Sequence, residues 1–164
     1  MLLDTLNKFA KKMNKEYPYM NHGGCGVFAI HMAKRLSRVL PTKIVVFNWE
    51  RLDLDRIKEE IRDKTDGDLW YEHCICFVHI VVEFEYEGEV YHYDTDGVRL
   101  KDRNWGDIAV LCDGSLTVDE LEPLIADSSN WNCRFDRQNI PNIKRRVKNV
   151  FSRFVYAGRE YQYC

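Results

Sequence analysis

The stretch Asn21-His22-Gly23-Gly24-Cys25-Gly26, followed by the apolar run Val27-Phe28-Ala29-Ile30, decides how this chain folds. Apolar residues recur after it at three- and four-residue steps, which predicts a helix with one buried face reaching Leu40. Cys25 therefore lies where a loop becomes a helix. Free backbone N–H groups and the positive end of the helix dipole stabilise a thiolate there, and the thiolate is the nucleophilic form of cysteine. The flanking glycines let a substrate backbone come close. The alternative interpretation is a small apolar Cys packed in the core.

A nucleophilic thiol needs a base and a group that orients the base. The sequence predicts a hairpin made of strand Cys74–Tyr86, turn Glu87–Glu89 and strand Val90–Asp94. His79 lies in the first strand, within a run rich in β-branched and aromatic residues, and Asp94 closes the second. Antiparallel pairing brings such residues together. Asp94 can then accept a hydrogen bond from one ring nitrogen of His79 while the other nitrogen faces the thiol. We prefer Asp94 to Asp96 because Asp96 precedes Gly97 and fits a turn. The alternative is that His79 is a structural strand residue.

These segments resemble the papain-like cysteine peptidase superfamily. The resemblance rests on Gly-Gly-Cys-Gly opening a helix, His-Ile-Val-Val-Glu-Phe on a strand and Tyr-His-Tyr-Asp on its neighbour, and covers residues 20–100. The order Cys, His, Asp is most similar to the transglutaminase-like branch. The resemblance implies that Cys25 is the nucleophile, His79 the base and Asp94 the orienting residue. The chain departs from the papain pattern in having Asp as third member and no Gln upstream of Cys25. The candidate oxyanion donors are therefore the backbone N–H of Cys25 and the side chain of Asn21.

Composition predicts one globular domain over residues 1–164, papain-like if the resemblance holds. Hydrophobic residues make up 45% of the chain and aromatic residues 13%, which is enough for a core. The net charge of −2 gives no general attraction to nucleic acid or to a membrane. We expect no membrane span and no signal peptide. The six cysteines follow no regular disulfide framework, which favours a reducing cytoplasm.

The fold class predicted from the pattern is α+β, with helices packed on a small, mostly antiparallel sheet. The predicted helices are Leu2–Tyr17, the Cys25 helix to Leu40, Leu54–Lys64, a capped helix from Thr117 and Ile140–Phe154. The predicted strands are Lys43–Phe47, the two strands of the hairpin and Ile108–Cys112.

Two other kinds of site compete with the thiol site. His73, Cys74, Cys76 and His79 are possible metal ligands, but on a strand the two Cys face one side and the two His the other. Their C-x-C spacing is also not that of a zinc knuckle, so we expect neither a metal nor another cofactor. The basic residues between Arg134 and Arg153 could contact phosphates, but the solvated face of an amphipathic helix is the preferred interpretation. Nucleic acid is therefore not an expected partner.

The sequence thus predicts a cysteine hydrolase, and most specifically a peptidase that acts on a protein or peptide through an acyl-enzyme. Two alternatives stay open. An amine in place of water would make the same site a transglutaminase-like acyltransferase. A catalytically silent papain-like interaction module is the other, because fold does not fix function. The sequence does not identify the substrate or the oligomeric state.

Overall fold

The computed structural model describes residues 2–47, 79–101, 115–126 and 136–160. Its helices are α1 (Leu2–Glu16), α2 (Cys25–Leu36), α3 (Val118–Ala126) and α4 (Ile140–Glu160), with a π-helical turn at Met20–Gly24 and a 3₁₀ turn at Arg137–Asn139. Its strands are β1 (Thr42–Phe47), β2 (His79–Tyr86), β3 (Glu89–Asp94), β4 (Gly97–Leu100) and β5 (Ser115–Leu116). This mixture of helices and a small antiparallel sheet confirms the α+β class.

The helices follow the predicted periodicity. The first, α1, buries Leu6, Phe9, Ala10 and Met13 on one face, because residues three and four apart share a helix face. The prediction for α2 was right at its start and wrong at its end. The helix ends at Leu36 rather than Leu40, since the N–H of Val39 bonds the carbonyl of Leu36 in a tighter i→i+3 turn. Pro41 then disfavours helical geometry in the residue before it.

The two later helices also begin as predicted. Thr117 caps α3 in a reciprocal arrangement: the Glu120 N–H donates to Thr117 Oγ1 (3.3 Å), and the Thr117 N–H donates to Glu120 Oε2 (2.7 Å). Pro141 occupies the first turn of α4, where its missing N–H costs nothing. This helix runs to Glu160, six residues beyond the predicted end at Phe154.

Five strands of the described residues form one sheet in the order β4-β3-β2-β1-β5, and each neighbouring pair is antiparallel. Alternate residues face opposite sides. One side packs with α1, α2 and α4 in the main core through side chains that include Ile44, Val46, Ile80, Val82 and Tyr93. The other side carries a small apolar cluster of Val45, Phe47 and Val81 together with the polar groups described below.

Two tight connections set the order of the site strands. Glu87 and Gly88 join β2 to β3 with positive φ at both residues, the backbone that matches the twist of a two-residue hairpin. Gly97 begins β4 with φ +122, and a Cβ at this position would lie 2.6 Å from Asn7 Oδ1 of α1. The positive φ favours glycine here, and a Cβ would also displace the Asn7 side chain, whose Oδ1 accepts a hydrogen bond from the N–H of Val98 at 2.7 Å.

The predicted helix Leu54–Lys64, the predicted strand Ile108–Cys112 and residues 74–78 of the predicted hairpin lie outside the described residues. Strands β4 and β5 were not predicted. Within the described ranges, no helix has the length and apolar character needed to cross a membrane.

Candidate active site

Cys25 is the first residue of α2, as the sequence predicts. Its side chain is buried, and it is a free thiol. A buried cysteine without polar partners behaves as a small hydrophobe. Cys25 differs from that description because its thiol is hydrogen-bonded to the side chain of His79.

His79 joins the thiol to a carboxylate. It is the first residue of β2, and its Nε2 donates to Oδ2 of Asp94 at 2.8 Å. Because Asp94 holds Nε2, the remaining ring nitrogen, Nδ1, is left for the thiol. The structure thus brings together Cys25, His79 and Asp94 in the linear order thiol, imidazole, carboxylate.

The electrostatics of the three groups favour a charged imidazole. Burial opposes the charge on His79, but hydrogen bonds to Asp94 and Cys25 outweigh burial and raise the pKa of His79 from 6.5 to about 9. Burial also works against the ionised form of Asp94, and the hydrogen bond to His79 overrides it and lowers the pKa of Asp94 below 3.8. At neutral pH the pair is therefore imidazolium and carboxylate.

Asp94 is held from several sides. Its Oδ1 accepts a hydrogen bond from the backbone N–H of Asp96 at 2.8 Å. Nη2 of Arg99 donates to both carboxylate oxygens, at 3.3 and 3.4 Å. The side chain of Asp94 is 2% exposed, so these donors satisfy lone pairs that water does not reach. They fix the carboxylate that in turn orients His79.

The strand register explains why Asp94 rather than Asp96 reaches His79. Val82 pairs with Tyr93, so β2 and β3 would place residue 96 opposite residue 79 if β3 continued. The strand instead ends at Asp94, which pairs with Gly97 across the turn into β4. Asp94 therefore contacts His79 diagonally, as residues offset by two positions on neighbouring strands do.

Phe47 supports the imidazole from β1. It is the register partner of His79, and the two rings stack with centroids 6.5 Å apart and an interplanar angle of 13°. The same phenyl ring meets His92 edge-on at 5.8 Å. Because Phe47 is almost fully buried, it limits how far either imidazole can turn.

A second histidine–carboxylate pair lies farther along the same strands. His92 Nε2 donates to Glu83 Oε2 at 3.0 Å. Burial lowers the pKa of His92 despite this bond, so His92 is neutral at pH 7. The ammonium groups of Lys43 and Lys101 lie 3.1 and 3.3 Å from the carboxylate of Glu83.

We expect Glu83→Gln to destabilise the fold by about 1–2 kcal/mol, because it removes a charge-assisted hydrogen bond from a buried pair. Burial opposes ionisation of Glu83, but its hydrogen bond to His92 and those to two lysines lower its pKa below 4.5. The stabilisation is therefore present above pH 4.5 and is lost as the pH falls through the lowered pKa. Urea unfolding at pH 7 and at pH 3 measures both effects.

The matched control is Glu85→Gln, two residues along β2, where the side chain is exposed. This variant should change the free energy of unfolding by less than about 0.5 kcal/mol. Equal losses in the two variants would show that the buried pair contributes nothing beyond a surface charge.

Asn21, the sequence candidate for an oxyanion donor, lies in the π-helical turn that leads into α2. Its side chain is partly exposed, and its Oδ1 accepts a hydrogen bond from the hydroxyl of Thr95 at 2.7 Å. Sequence reasoning missed Thr95, Arg99 and Phe47. The dipeptide Asp96-Gly97 is common in hairpin turns and could have predicted a further strand, which would have placed Thr95 in the turn and Arg99 beside Asp94. We interpreted it only as the end of a strand.

Most of the possible metal ligands lie outside the described residues, whereas most of the basic C-terminal region lies within them. Of the possible metal ligands, only His79 is described, and it bonds Cys25 and Asp94. The described ranges hold no group of three or more His, Cys, Asp or Glu side chains placed to bind a metal ion. From the basic C-terminal region, Arg146 on α4 pairs with Glu16 on α1 at 3.2 Å.

No protein-family model, curated protein or solved structure matches this chain significantly.

Proposed function

We propose that this protein is a papain-like cysteine hydrolase that cleaves protein or peptide substrates through Cys25, His79 and Asp94. The observation that carries the proposal is the continuous hydrogen-bonded chain from the thiol through the imidazole to the carboxylate. A Cys at the head of a helix, with His and Asp on neighbouring antiparallel strands, also supports it.

The mechanism follows from the roles of the three side chains. His79 holds the proton of Cys25 in a thiolate–imidazolium pair, and the thiolate attacks the substrate carbonyl. Asp94 keeps the imidazole in the tautomer and orientation that serve the thiol and stabilises the imidazolium. His79 then protonates the leaving amine, which leaves an acyl group on Cys25. Water, activated by the neutral imidazole, releases the acid and restores the thiol.

Negative charge that develops on the carbonyl oxygen needs hydrogen-bond donors. The backbone N–H of Cys25 at the start of α2 and the carboxamide of Asn21 four residues earlier are our candidates. Both would act where charge appears only in the transition state, which is where a donor accelerates the reaction.

p-Nitrophenyl acetate tests the proposal without knowledge of the natural substrate. We expect a rapid release of p-nitrophenolate, equal to one per active site, as the acetyl-enzyme forms, followed by slower turnover. Cys25→Ala should abolish this burst. A wild-type protein without a burst would be the result expected of a silent interaction module.

We also expect Cys25 to be the first of the six cysteines to react with iodoacetamide near neutral pH, because its thiol is hydrogen-bonded to a protonated imidazole. Mass spectrometry after brief labelling identifies the modified residue, and the other five thiols are internal controls. Preferential labelling of Cys74, Cys76 or Cys112 would contradict the assignment of the nucleophile.

A further inference from the structure

Two adjacent residues at the end of β3 hold two different parts of the proposed site. Asp94 accepts the hydrogen bond from His79, and Thr95 donates one from its hydroxyl to Oδ1 of Asn21 at 2.7 Å. Thr95 is 1% exposed although it lies in a turn. Its hydroxyl therefore faces the protein and not the solvent.

The direction of this hydrogen bond decides what Asn21 presents to a ligand. A carboxamide has an acceptor end, Oδ1, and a donor end, Nδ2, and the two exchange places when the group turns over. A donor at Oδ1 holds the group in one of these orientations. With Oδ1 occupied by Thr95, the part of Asn21 directed away from Thr95 is the N–H end. Reversal would exchange the two ends, and an oxyanion beside Asn21 would then meet the acceptor Oδ1, which repels it.

We infer that Thr95 is a positioning residue that holds the Asn21 carboxamide as a hydrogen-bond donor to the oxyanion formed at Cys25. The inference rests on the proposed function. In the reaction with p-nitrophenyl acetate, the thiolate forms a C–S bond and the carbonyl π electrons move to oxygen. The resulting oxyanion accepts from Asn21. It then collapses, expels p-nitrophenolate and leaves acetyl-Cys25.

A comparison of two reactions of the same thiol separates positioning from support of the fold. Acylation by p-nitrophenyl acetate forms an oxyanion. Alkylation by iodoacetamide displaces iodide from a saturated carbon and forms none. We expect Thr95→Val, which keeps the side-chain shape without the donor, to slow acylation by about 10-fold and to change alkylation by less than about twofold. Thr95→Ser restores the hydroxyl and should restore the acylation rate.

Asn21 variants show whether Thr95 acts through the carboxamide. Asn21→Ala should slow acylation by about 10²-fold, the usual effect of losing one oxyanion donor. The double variant Thr95→Val/Asn21→Ala should be no slower than Asn21→Ala, because a residue that acts only through Asn21 has no effect without it. Asn21→Asp keeps an acceptor for Thr95 but has no donor, so it should be at least as slow as Asn21→Ala.

Three outcomes would overturn the inference. In the first, Thr95→Val is acylated at the wild-type rate. In the second, it slows acylation and alkylation equally. In the third, its effect adds fully to that of Asn21→Ala. Thermal unfolding shows whether Thr95→Val is folded. If Thr95→Val is not folded, Asn21→Asp takes its place as the test. An acylation rate of Asn21→Asp equal to that of the wild-type protein then overturns the inference. The proposed function is tested by a different result: it fails if the wild-type protein releases no burst of p-nitrophenolate.

Discussion

Replacing His79 by alanine should slow the alkylation of Cys25 at pH 6 by about 10²-fold. An ordinary thiol with a pKa near 8.5 is less than about 1% thiolate at this pH. An adjacent imidazolium ion stabilises the thiolate, which is the form that reacts with iodoacetamide. The imidazolium of His79 is well populated at pH 6 because its hydrogen bonds to Asp94 and Cys25 outweigh burial and raise its pKa to about 9. Iodoacetamide kinetics followed by mass spectrometry of the Cys25 peptide measures the rate.

The pH dependence of the same comparison supplies its control. The ratio of wild-type to His79→Ala rates should shrink as the pH rises toward 9, since His79 then loses its proton and an isolated thiol ionises unaided. His31 on α2 is the control residue, because burial lowers its pKa to about 4 and it is therefore neutral at pH 6. The ratio of the wild-type rate to the rate of a His31 variant should be near one at pH 6. A ratio near one for His79→Ala at pH 6 would exclude an ion pair between the thiol and His79.

Asp94→Asn should reduce turnover of p-nitrophenyl acetate by about 10²–10⁴-fold. The amide keeps the size of the side chain and an acceptor oxygen, but it removes the charge that stabilises the His79 imidazolium at 2.8 Å. The pKa of His79 should therefore fall, and the pH–rate profile should shift toward lower pH with it. Steady-state kinetics across about pH 5–10 would measure both effects, because this range includes the ordinary pKa of His, about 6.5, and the raised pKa of His79, about 9.

Asp96→Asn is the matched control, two residues along the same segment. Asp96 contacts Asp94 through its backbone N–H, and its side chain accepts from Asn14 Nδ2 at 3.2 Å. The substitution keeps the backbone contact, so turnover should change by less than about threefold. Equal activity of Asp94→Asn and wild type would remove Asp94 from the mechanism.

Local patterns in the sequence predicted the described helices and the strands of the hairpin. The apolar spacing of Leu2–Glu16, the Thr117–Glu120 cap and Pro141 each act within one or two turns of chain. They therefore need no knowledge of distant residues. The predicted end of α2 was wrong. Another helical turn and the tighter turn before Pro41 compete at this point, and apolar periodicity alone does not decide between them.

The strands at the sheet edges were missed for a different reason. Strand β5 has two residues, Ser115 and Leu116, and gains its hydrogen bonds from β1, more than 60 residues away. Strand β4 has four residues and follows a two-residue turn. Segments of this length carry too little periodicity to predict a strand. Missing β4 also meant missing Arg99 beside Asp94.

For the candidate site, the sequence by itself predicted that the thiol lies at the start of a helix and that the second hairpin strand ends at Asp94. Glycines around Cys25 and the apolar run after it start a helix, and Asp96-Gly97 favours a turn that ends β3 at Asp94. Both are consequences of local backbone preference. Only the tertiary structure decided which side chains meet: Cys25 with His79, Thr95 with Asn21 and His92 with Glu83. These pairs depend on strand register and on how α2 packs against the sheet, which arise from contacts between residues far apart in the chain.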